Sequence, residues 1–248
     1  MILKSKKEIE IMKEEGGVIL AEILKKISAA VRPGIATHDL EELARELILS
    51  YKVKSSFLGY DDYPAVLCTS VNDEIVHALP SERMLTDGDL LKIDTGIIYK
   101  NFHTDTATTL IVGEEANQEK KDLIIVTRQS LEKGISKARP GNTLGDIGFA
   151  VQSFVESKGF NVVRDLVGHG IGRDLHEAPQ VPNYGEAGKG EKLLPGMVIA
   201  IEPMVVTGSW KIKNSPDGYG FMTKDAGLAA HFEHTVAITE NGPLILTS

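Results

Sequence analysis

The sequence predicts an α/β protein built from two related halves, in each of which two helices are followed by β-strands. Two observations indicate the duplication. Segments 85–94 and 193–202 are similar, and each ends on a carboxylate. An Arg-Pro-Gly tripeptide interrupts a helical pattern at residues 32–34 and again at residues 139–141. Because a duplicated fold places equivalent residues around a pseudo-twofold axis, we expect acids from both halves to converge on one site.

Length and composition indicate one compact domain over residues 1–248, with pseudo-repeat halves at approximately 1–115 and 116–248. Hydrophobic residues make up 42% of the 248, which is enough for one large core. The net charge is −8 and the basic residues are scattered. Neither nucleic acid nor an anionic membrane is therefore the expected partner.

Two further features of the composition concern location and metal chemistry. The start of the chain has no apolar signal region, and no run approaches the ~18 apolar residues that a spanning helix needs. We therefore expect a cytoplasmic protein. Cys68 is the only cysteine, which excludes an internal disulfide and a thiolate cage. Any metal would be held by oxygen and imidazole ligands.

Two helices are predicted at the start of the first half. Residues 5–8 read Ser-Lys-Lys-Glu, a capping box, and apolar residues then recur at helical spacing to about residue 30. Residues 32–34 break this pattern, and a second amphipathic helix begins near Thr37. Each half is expected to repeat this unit of helix, break and helix.

The second half shows the same order. Apolar stripes over residues 123–135 and 147–155 flank the second Arg-Pro-Gly tripeptide. In both halves an aspartate stands six residues after the proline, at Asp39 and Asp146. The helical units of the two halves therefore correspond residue by residue.

Five β-rich runs bounded by turn residues follow the helices. They cover residues 65–71, 89–98, 102–112, 197–206 and 232–238. The second half carries about twenty additional residues, 207–226, whose composition is that of a loop. Aromatic residues within this insertion, Trp210, Tyr219 and Phe221, predict either a pocket wall or packing beneath the loop.

Asp94 and Asp105 are related by reflection about the point between Tyr99 and Lys100. A tight antiparallel hairpin would place the two carboxylates directly opposite each other, with Cβ atoms roughly 5 Å apart. Facing carboxylates repel, so such a pair needs a shared proton or a cation. We interpret the pair as part of a metal site.

The second half contributes two more acids. The sequence His103-Thr-Asp105 resembles His231-Phe-Glu233, and Glu202 ends the segment that matches the one ending on Asp94. Four bare carboxylates would be strongly destabilising together, whereas two divalent cations nearly neutralise them. The repeat therefore predicts a cluster of four carboxylates that holds two ions.

His169 is the histidine most typical of a site, because glycines on both sides allow close approach of the backbone. The glycine spacing is not that of a dinucleotide loop, and the H-E-x-x-H and G-x-S-x-G motifs are absent. Four carboxylates and an imidazole suit two ions about 3.5–4 Å apart, with a bridging water as nucleophile. The residues predict metal-assisted hydrolysis, with Mn, Fe, Co or Zn as candidate ions.

These acids and His169, together with the motifs at residues 168–177 and 232–235, resemble the type I methionine aminopeptidases from the first helix to the C-terminus. The resemblance implies the pita-bread fold, a pseudo-symmetric α/β structure with curved antiparallel sheets backed by helices. It implies that Asp94 chelates one metal, that Asp105 and Glu233 bridge both, and that His169 and Glu202 complete the other.

The resemblance also implies an activity: removal of the N-terminal methionine from newly made proteins and peptides with a small second residue. Glu202 would shuttle the proton of the attacking water, His176 would stabilise the tetrahedral charge, and His77 would orient the substrate or assist the leaving amine. The substrate α-amine would bind near Asp94. His77, His176 and six further residues would bind substrate: Phe57, Tyr60, Tyr63, Cys68, Leu175 and Tyr219.

Two pocket positions depart from the family pattern. Phe57 stands where a cysteine is common, and Tyr219 stands where tryptophan is common. Both residues keep the pocket apolar and suited to a thioether, so the expected effect is on pocket size rather than on catalysis.

The nearest alternative is an Xaa-Pro peptidase of the prolidase or aminopeptidase P kind, which resembles this catalytic fold but usually carries a large N-terminal domain. A second alternative is a non-catalytic pita-bread module that binds peptides, histones or RNA, although such modules typically lose ligands. The type II enzymes carry a helical insertion for which the second half has no room. The expected partners are N-terminal peptides of nascent proteins, with a transient ribosome association, and a monomer is sufficient.

Overall fold

The computed structural model describes residues 2–115 and 117–248. The helices are α1 (Lys6–Ile11), α2 (Val18–Ala30), α3 (Thr37–Ser50), α4 (Gln118–Lys137) and α5 (Leu144–Ser157). A π-helical segment, Met12–Gly17, joins α1 to α2. Over these two described ranges, no helix is both long and apolar enough to span a membrane.

In each half the helices come first and the strands follow them, which is the order that the sequence predicts. They are β1 (Lys54–Ser55), β2 (Cys68–Val71), β3 (Glu74–Val76), β4 (Leu90–Tyr99), β5 (Phe102–Ile111), β6 (Asn161–Val162), β7 (Gly168–Gly170), β8 (Glu177–Val181), β9 (Val198–Ile201), β10 (Met204–Val206), β11 (Ile212–Asn214), β12 (Phe221–Thr223), β13 (Ala229–His231), β14 (Glu233–Thr239) and β15 (Gly242–Ile245).

In the described part of the chain the largest sheet has nine strands and crosses both halves. Its central order is β1-β4-β5-β14-β9-β7-β8, with β2 paired to β4 and β15 paired to β14. The halves meet where β5 pairs with β14, at Ala107 opposite Glu233 and Thr106 opposite His234. This antiparallel sheet with helices behind it confirms the predicted pseudo-symmetric α/β fold.

Each half packs its long helix against its own strands. In the first half, fully buried side chains of α2, Leu20, Ile23 and Ile27, belong to one apolar cluster with Leu91 and Ile93 of β4. A separate cluster joins α4 and α5 to β9 and β14 in the second half. Burying one such side chain contributes about 1.5–3 kcal/mol, so these helix faces anchor the sheet from behind.

The paired aspartates after the two Arg-Pro-Gly tripeptides cap helices. The Asp39 carboxylate accepts a hydrogen bond from the Ala36 N–H at the start of α3, at 3.0 Å. The Asp146 carboxylate accepts from the Thr143 N–H at the start of α5, at 2.7 Å. Both aspartates therefore satisfy an otherwise unpaired N–H in the first turn, which explains their matching positions.

Two of the predicted elements differ from the structure. The run 197–206 divides into β9 and β10, because Pro203 has no N–H to continue the ladder. The insertion 207–226 is not only a loop, since β11 and β12 form a hairpin and β12 pairs with β3 of the first half. Each of these strands has three residues, which is too short for a periodic pattern to reveal.

Two glycines in the π-helical segment offer a matched test of packing. A Cβ on Gly17 would lie 1.8 Å from the Leu246 carbonyl oxygen, whereas a Cβ on Gly16 would meet nothing closer than the Tyr99 Cβ at 3.4 Å. We expect Gly17→Ala to lower the free energy of unfolding by about 1–3 kcal/mol, because the helix must move away from the C-terminal segment. Gly16→Ala should change it by less than about 1 kcal/mol. Urea denaturation of both variants measures the difference, and equal losses would contradict this packing.

Candidate active site

All of the predicted metal-ligating and substrate-binding residues line one cavity of about 520 Å³. The predicted ligands among them are Asp94, Asp105, His169, Glu202 and Glu233. The predicted catalytic and pocket residues among them are Phe57, Tyr60, Tyr63, Cys68, His77, Leu175, His176 and Tyr219. Residues separated by up to 176 positions therefore share one site.

Strand register brings three of the acids into one row. Asp94 on β4 pairs with Ala107 on β5, and Ala107 pairs in turn with Glu233 on β14. On the other side of β14, His234 pairs with Ile201 of β9. The same antiparallel register places Glu202, the next residue after Ile201, opposite Glu233. Because residues opposite each other share a face of the sheet, Asp94, Glu233 and Glu202 project to the same side.

The predicted direct opposition of Asp94 and Asp105 is wrong by one step of the hairpin. Asp105 pairs with Gly96, two residues from Asp94, so the two acids are diagonal neighbours on one face. The turn consists of Lys100 and Asn101, whose φ angles are 47° and 65°. A two-residue turn of this kind needs positive φ at both positions, which Asn101 accepts readily, and it moves the hairpin axis by one residue. The carboxyl groups still interact side by side.

His169 joins the acids from β7. One ligand atom each from Asp105, His169 and Glu233 lie within 4.8 Å of one another. The His169 Nε2 atom is 3.6 Å from Glu202 Oε1. Its other ring nitrogen, Nδ1, is 2.9 Å from the Gly170 carbonyl oxygen, an arrangement that leaves Nε2 free to face the acids.

Burial dominates the electrostatics of the acid cluster. Desolvation, with the neighbouring carboxylates, raises the pKa of Asp94, Glu202 and Glu233 well above the ordinary range. Desolvation also raises the pKa of Asp105 to about 7. For His169 the same burial favours the neutral ring and lowers the pKa to about 3. Without a cation the site therefore favours protonated acids, and its imidazole is already in the form that binds metals.

The acids also have unused oxygen atoms. Over residues 2–115 and 117–248, the Oδ1 atoms of Asp94 and Asp105 and the Oε1 atom of Glu233 are buried without a hydrogen-bond partner. An unsatisfied buried acceptor costs about 1–3 kcal/mol, and a charged one costs more. A divalent cation would satisfy these oxygens, and oxygen donors with one imidazole suit hard or borderline ions. The donor set fits a metal centre.

An apolar pocket adjoins the acids. Cys68 on β2 pairs with Asp94, so the pocket wall and the acid row share a strand boundary. The Tyr63 ring meets the Tyr219 ring edge to face at 5.5 Å, and the Tyr63 hydroxyl donates to the Leu67 carbonyl oxygen at 3.0 Å. Burial raises the pKa of the Cys68 thiol well above its ordinary value, so Cys68 is a wall residue rather than a nucleophile.

Two histidines from other elements line the same cavity. His77 follows β3 with a φ of 62°, a left-handed conformation that is uncommon outside glycine and asparagine. Burial lowers the pKa of His77 to about 4, so its ring is neutral near pH 7. His176 lies at the mouth of the cavity, where its ring meets the His169 ring edge to face at 4.3 Å.

A buried ion pair holds the loop that carries His176. The Lys4 Nζ atom is 2.5 Å from Glu177 Oε2, and both side chains are almost completely buried. The other Glu177 oxygen accepts the Arg173 N–H at 2.7 Å. The segment before α1 therefore braces the turn between β7 and β8.

Sequence reasoning missed several residues of the site. His231 is fully buried, and its Nε2 atom is 3.6 Å from Glu202 Oε2, although the sequence suggested only that it marks the repeat. Val76, Leu166 and Met204 also line the cavity. Met204 follows Glu202 by two residues, a spacing that could have indicated it. In the insertion Tyr219 lines the cavity, whereas Trp210 packs against the Arg164 guanidinium at 5.2 Å.

Comparison with known proteins supports the resemblance. Residues 12–240 match the family described as metallopeptidase family M24. The "Methionine aminopeptidase" of Clostridium acetobutylicum is 46% identical over 100% of this chain and 98% of its own length. The "Methionine aminopeptidase 1" of Bacillus subtilis is 44% identical over 100% of this chain and 99% of its own length.

Solved structures show the same similarity. The crystal structure of a methionine aminopeptidase from Thermotoga maritima superimposes with a TM-score of 0.97 at 44% identity, covering 100% of this chain and 99% of that one. A prolidase from Pyrococcus furiosus superimposes with a TM-score of 0.80 at 23% identity and is covered over 65% of its length, so it shows the fold alone. These matches confirm the predicted resemblance to methionine aminopeptidases. Since the family match extends over most of the sequence, the chain belongs to metallopeptidase family M24.

Proposed function

We propose that this chain is a methionine aminopeptidase that removes the N-terminal methionine from proteins and peptides whose second residue is small. The observation that carries the proposal is the cavity in which four buried carboxylates and His169 adjoin an apolar pocket. Relatives that are 44–48% identical over nearly their whole length bear the name methionine aminopeptidase. An apolar pocket beside a metal centre suits a thioether side chain next to the bond to be cut.

We propose that the cluster holds two divalent ions, with Mn, Fe, Co or Zn as candidates. Asp94 would hold one ion, Asp105 and Glu233 would hold both, and His169 with Glu202 would hold the other. The unpaired buried oxygens of Asp94, Asp105 and Glu233 support this assignment. When bound, such ions supply a nucleophilic water at neutral pH and polarise the scissile carbonyl.

The protein's own groups would then position the substrate and move protons. Glu202 would accept the proton of the attacking water and pass it to the leaving nitrogen. His176 would donate a hydrogen bond to the developing oxyanion, while His77 would orient the peptide or assist the leaving amine. The substrate α-amine would bind near Asp94, which limits cleavage to the first peptide bond.

The side-chain pocket would bind methionine through Phe57, Tyr63, Cys68, Leu175 and Tyr219, with Tyr60 at its mouth. The exposed fraction of Tyr63, Cys68 and Leu175 is 8%, 4% and 3%, so these three wall residues are buried. The Phe57 ring packs closely against the backbone of Gly96, where an added Cβ would lie 3.0 Å from the ring. The pocket therefore has little room to widen on this side.

Further parts of the proposal concern the cellular setting. We propose that residues 1–248 act as a single catalytic domain, since the β5–β14 pairing joins the two halves. We also propose a cytoplasmic monomer that acts on nascent N-terminal peptides through a transient ribosome association. The relatives named methionine aminopeptidase, aligned over nearly their whole length, support the N-terminal peptides as substrates.

Neither alternative has a specific observation in its favour. The Xaa-Pro peptidase and prolidase structures are 20–24% identical and are longer proteins, so the likeness concerns the fold alone. A non-catalytic binding module would not need five convergent metal-binding side chains, and all five line the cavity here.

The first test of the proposal is substrate choice and metal dependence. We expect hydrolysis of Met-Ala-Ser peptides, loss of activity with a chelator, and recovery when Mn²⁺ or Co²⁺ is added back, because the carboxylate cluster needs cations. Release of free methionine measures the reaction. Cleavage of Xaa-Pro peptides while Met-Ala-Ser stays intact would overturn the proposal.

The second test is Glu202→Gln. The amide keeps the shape of the side chain but cannot carry the proton, so we expect kcat to fall at least about 100-fold while the protein stays folded. The matched control is Glu46→Gln, an exposed acid on α3 outside the cavity, which should leave kcat unchanged. Circular dichroism checks the fold of both variants. Turnover by Glu202→Gln near that of the control would remove Glu202 from the proposed role.

A further inference from the structure

We infer that Tyr60 is a positioning residue for His176: its hydroxyl donates a hydrogen bond to Nδ1 and thereby keeps the ring proton on Nε2. This role differs from lining the methionine pocket, for which a phenyl ring would suffice. The kinetic part of the inference rests on the proposed function, whereas the ring chemistry of His176 does not.

Two contacts connect the side chains. The Tyr60 hydroxyl oxygen is 2.8 Å from His176 Nδ1, within the usual range for a hydrogen bond. The two rings also meet edge to face, with centroids 4.9 Å apart and planes at 90°. The hydrogen bond sets the direction in which the imidazole points, and the ring contact sets its plane.

The chemistry of the two groups decides which one donates. A neutral imidazole carries one ring proton and offers one basic nitrogen, while a phenol can donate or accept. Phenol is the better donor and the unprotonated ring nitrogen the better acceptor, so the favoured arrangement is O–H to Nδ1. The proton then lies on Nε2, the ring nitrogen that Tyr60 leaves free to donate to a substrate in the cavity that His176 lines.

The backbone around Tyr60 is built to hold this position. Gly59, Asp61 and Asp62 all have positive φ, at 84°, 46° and 61°, and two of these residues are not glycine. The Tyr219 hydroxyl donates to the Asp62 carbonyl oxygen at 3.2 Å, which ties the segment to the β11–β12 hairpin. Left-handed backbone at consecutive aspartates is costly unless the surroundings enforce it, and this constrained segment carries Tyr60.

Tyr60 and Tyr63 line the same cavity but differ in burial and in the partner of the hydroxyl group. Tyr60 keeps 36% of its surface exposed, so it is not a core residue held in place by packing alone. Tyr63, by contrast, is buried in the same cavity, and its hydroxyl contacts the Leu67 carbonyl oxygen rather than a histidine. Tyr63 is therefore the matched control for removing a hydroxyl from this site.

The kinetic test is a double-mutant cycle between Tyr60→Phe and His176→Ala, assayed on a Met-Ala-Ser peptide. We expect Tyr60→Phe to lower kcat about tenfold with KM changed by less than about twofold, since the donor is misdirected rather than removed. In the His176→Ala background the same change should cost nothing further. Tyr63→Phe should have the same effect in both backgrounds. An equal loss from Tyr60→Phe with and without His176, or an unchanged kcat, would overturn the inference.

A second measurement does not depend on activity. Ring ¹H–¹⁵N correlation spectra of ¹⁵N-histidine-labelled protein with added Zn²⁺, assigned through His176→Ala, report which nitrogen carries the proton. We expect a single tautomer with the proton on Nε2 in the unmodified chain and averaged nitrogen signals in Tyr60→Phe. Identical His176 signals in the two proteins would overturn the inference. If no methionine peptide is cleaved, the proposed function fails and these spectra alone decide the role of Tyr60.

Discussion

Electrostatic repulsion among four buried carboxylates is the constraint on which the rest of the structure depends. Asp94, Asp105, Glu202 and Glu233 lie at the centre of the fold, and burial raises the pKa of each above its ordinary range. A chain that spends folding free energy to gather such groups needs a compensating charge, and divalent cations are the simplest one. Asp94, Asp105 and Glu233 each have a buried oxygen that has no hydrogen-bond partner among the described residues, and such a cation would bind there.

The duplication explains how a chain of this size holds the acids in place. Each half supplies a helix pair whose apolar face is buried behind its strands, and β5 and β14 join the halves along the row that contains Asp94 and Glu233. The two halves differ in the residues of the site. His169, on β7, has no counterpart in the first half, and Glu202 lies just after the end of β9 and before Pro203. The apolar pocket and the paired Tyr60 and His176 lie at the side of this framework, where a substrate can reach the acids.

Sequence reasoning succeeded where local rules decide the outcome. Apolar stripes beside the two Arg-Pro-Gly breaks located α3 and α5, a capping box located the start of α1, and acids at matching repeat positions indicated the cluster, because all of these depend on short stretches of chain. The hairpin register was predicted one residue too early, since the positive φ of Asn101 and not the symmetry of the two acids sets the turn. His231 beside Glu202, the hydroxyl of Tyr60 on His176 and the pairing of β12 with β3 depend on tertiary contacts between distant segments, which no local pattern encodes.

The most direct test of the central claim is the pH dependence of metal stabilisation. An acid whose folded pKa is raised contributes stability at low pH and loses it as pH rises through that value, which is about 7 for Asp105. The metal-free protein should therefore lose stability between about pH 5.5 and about pH 8, while bound cations prevent the loss. The increase in Tm on adding Mn²⁺, measured by calorimetry, should be several degrees larger at the higher pH. An increase that is the same at both pH values, or no increase at all, would contradict the account.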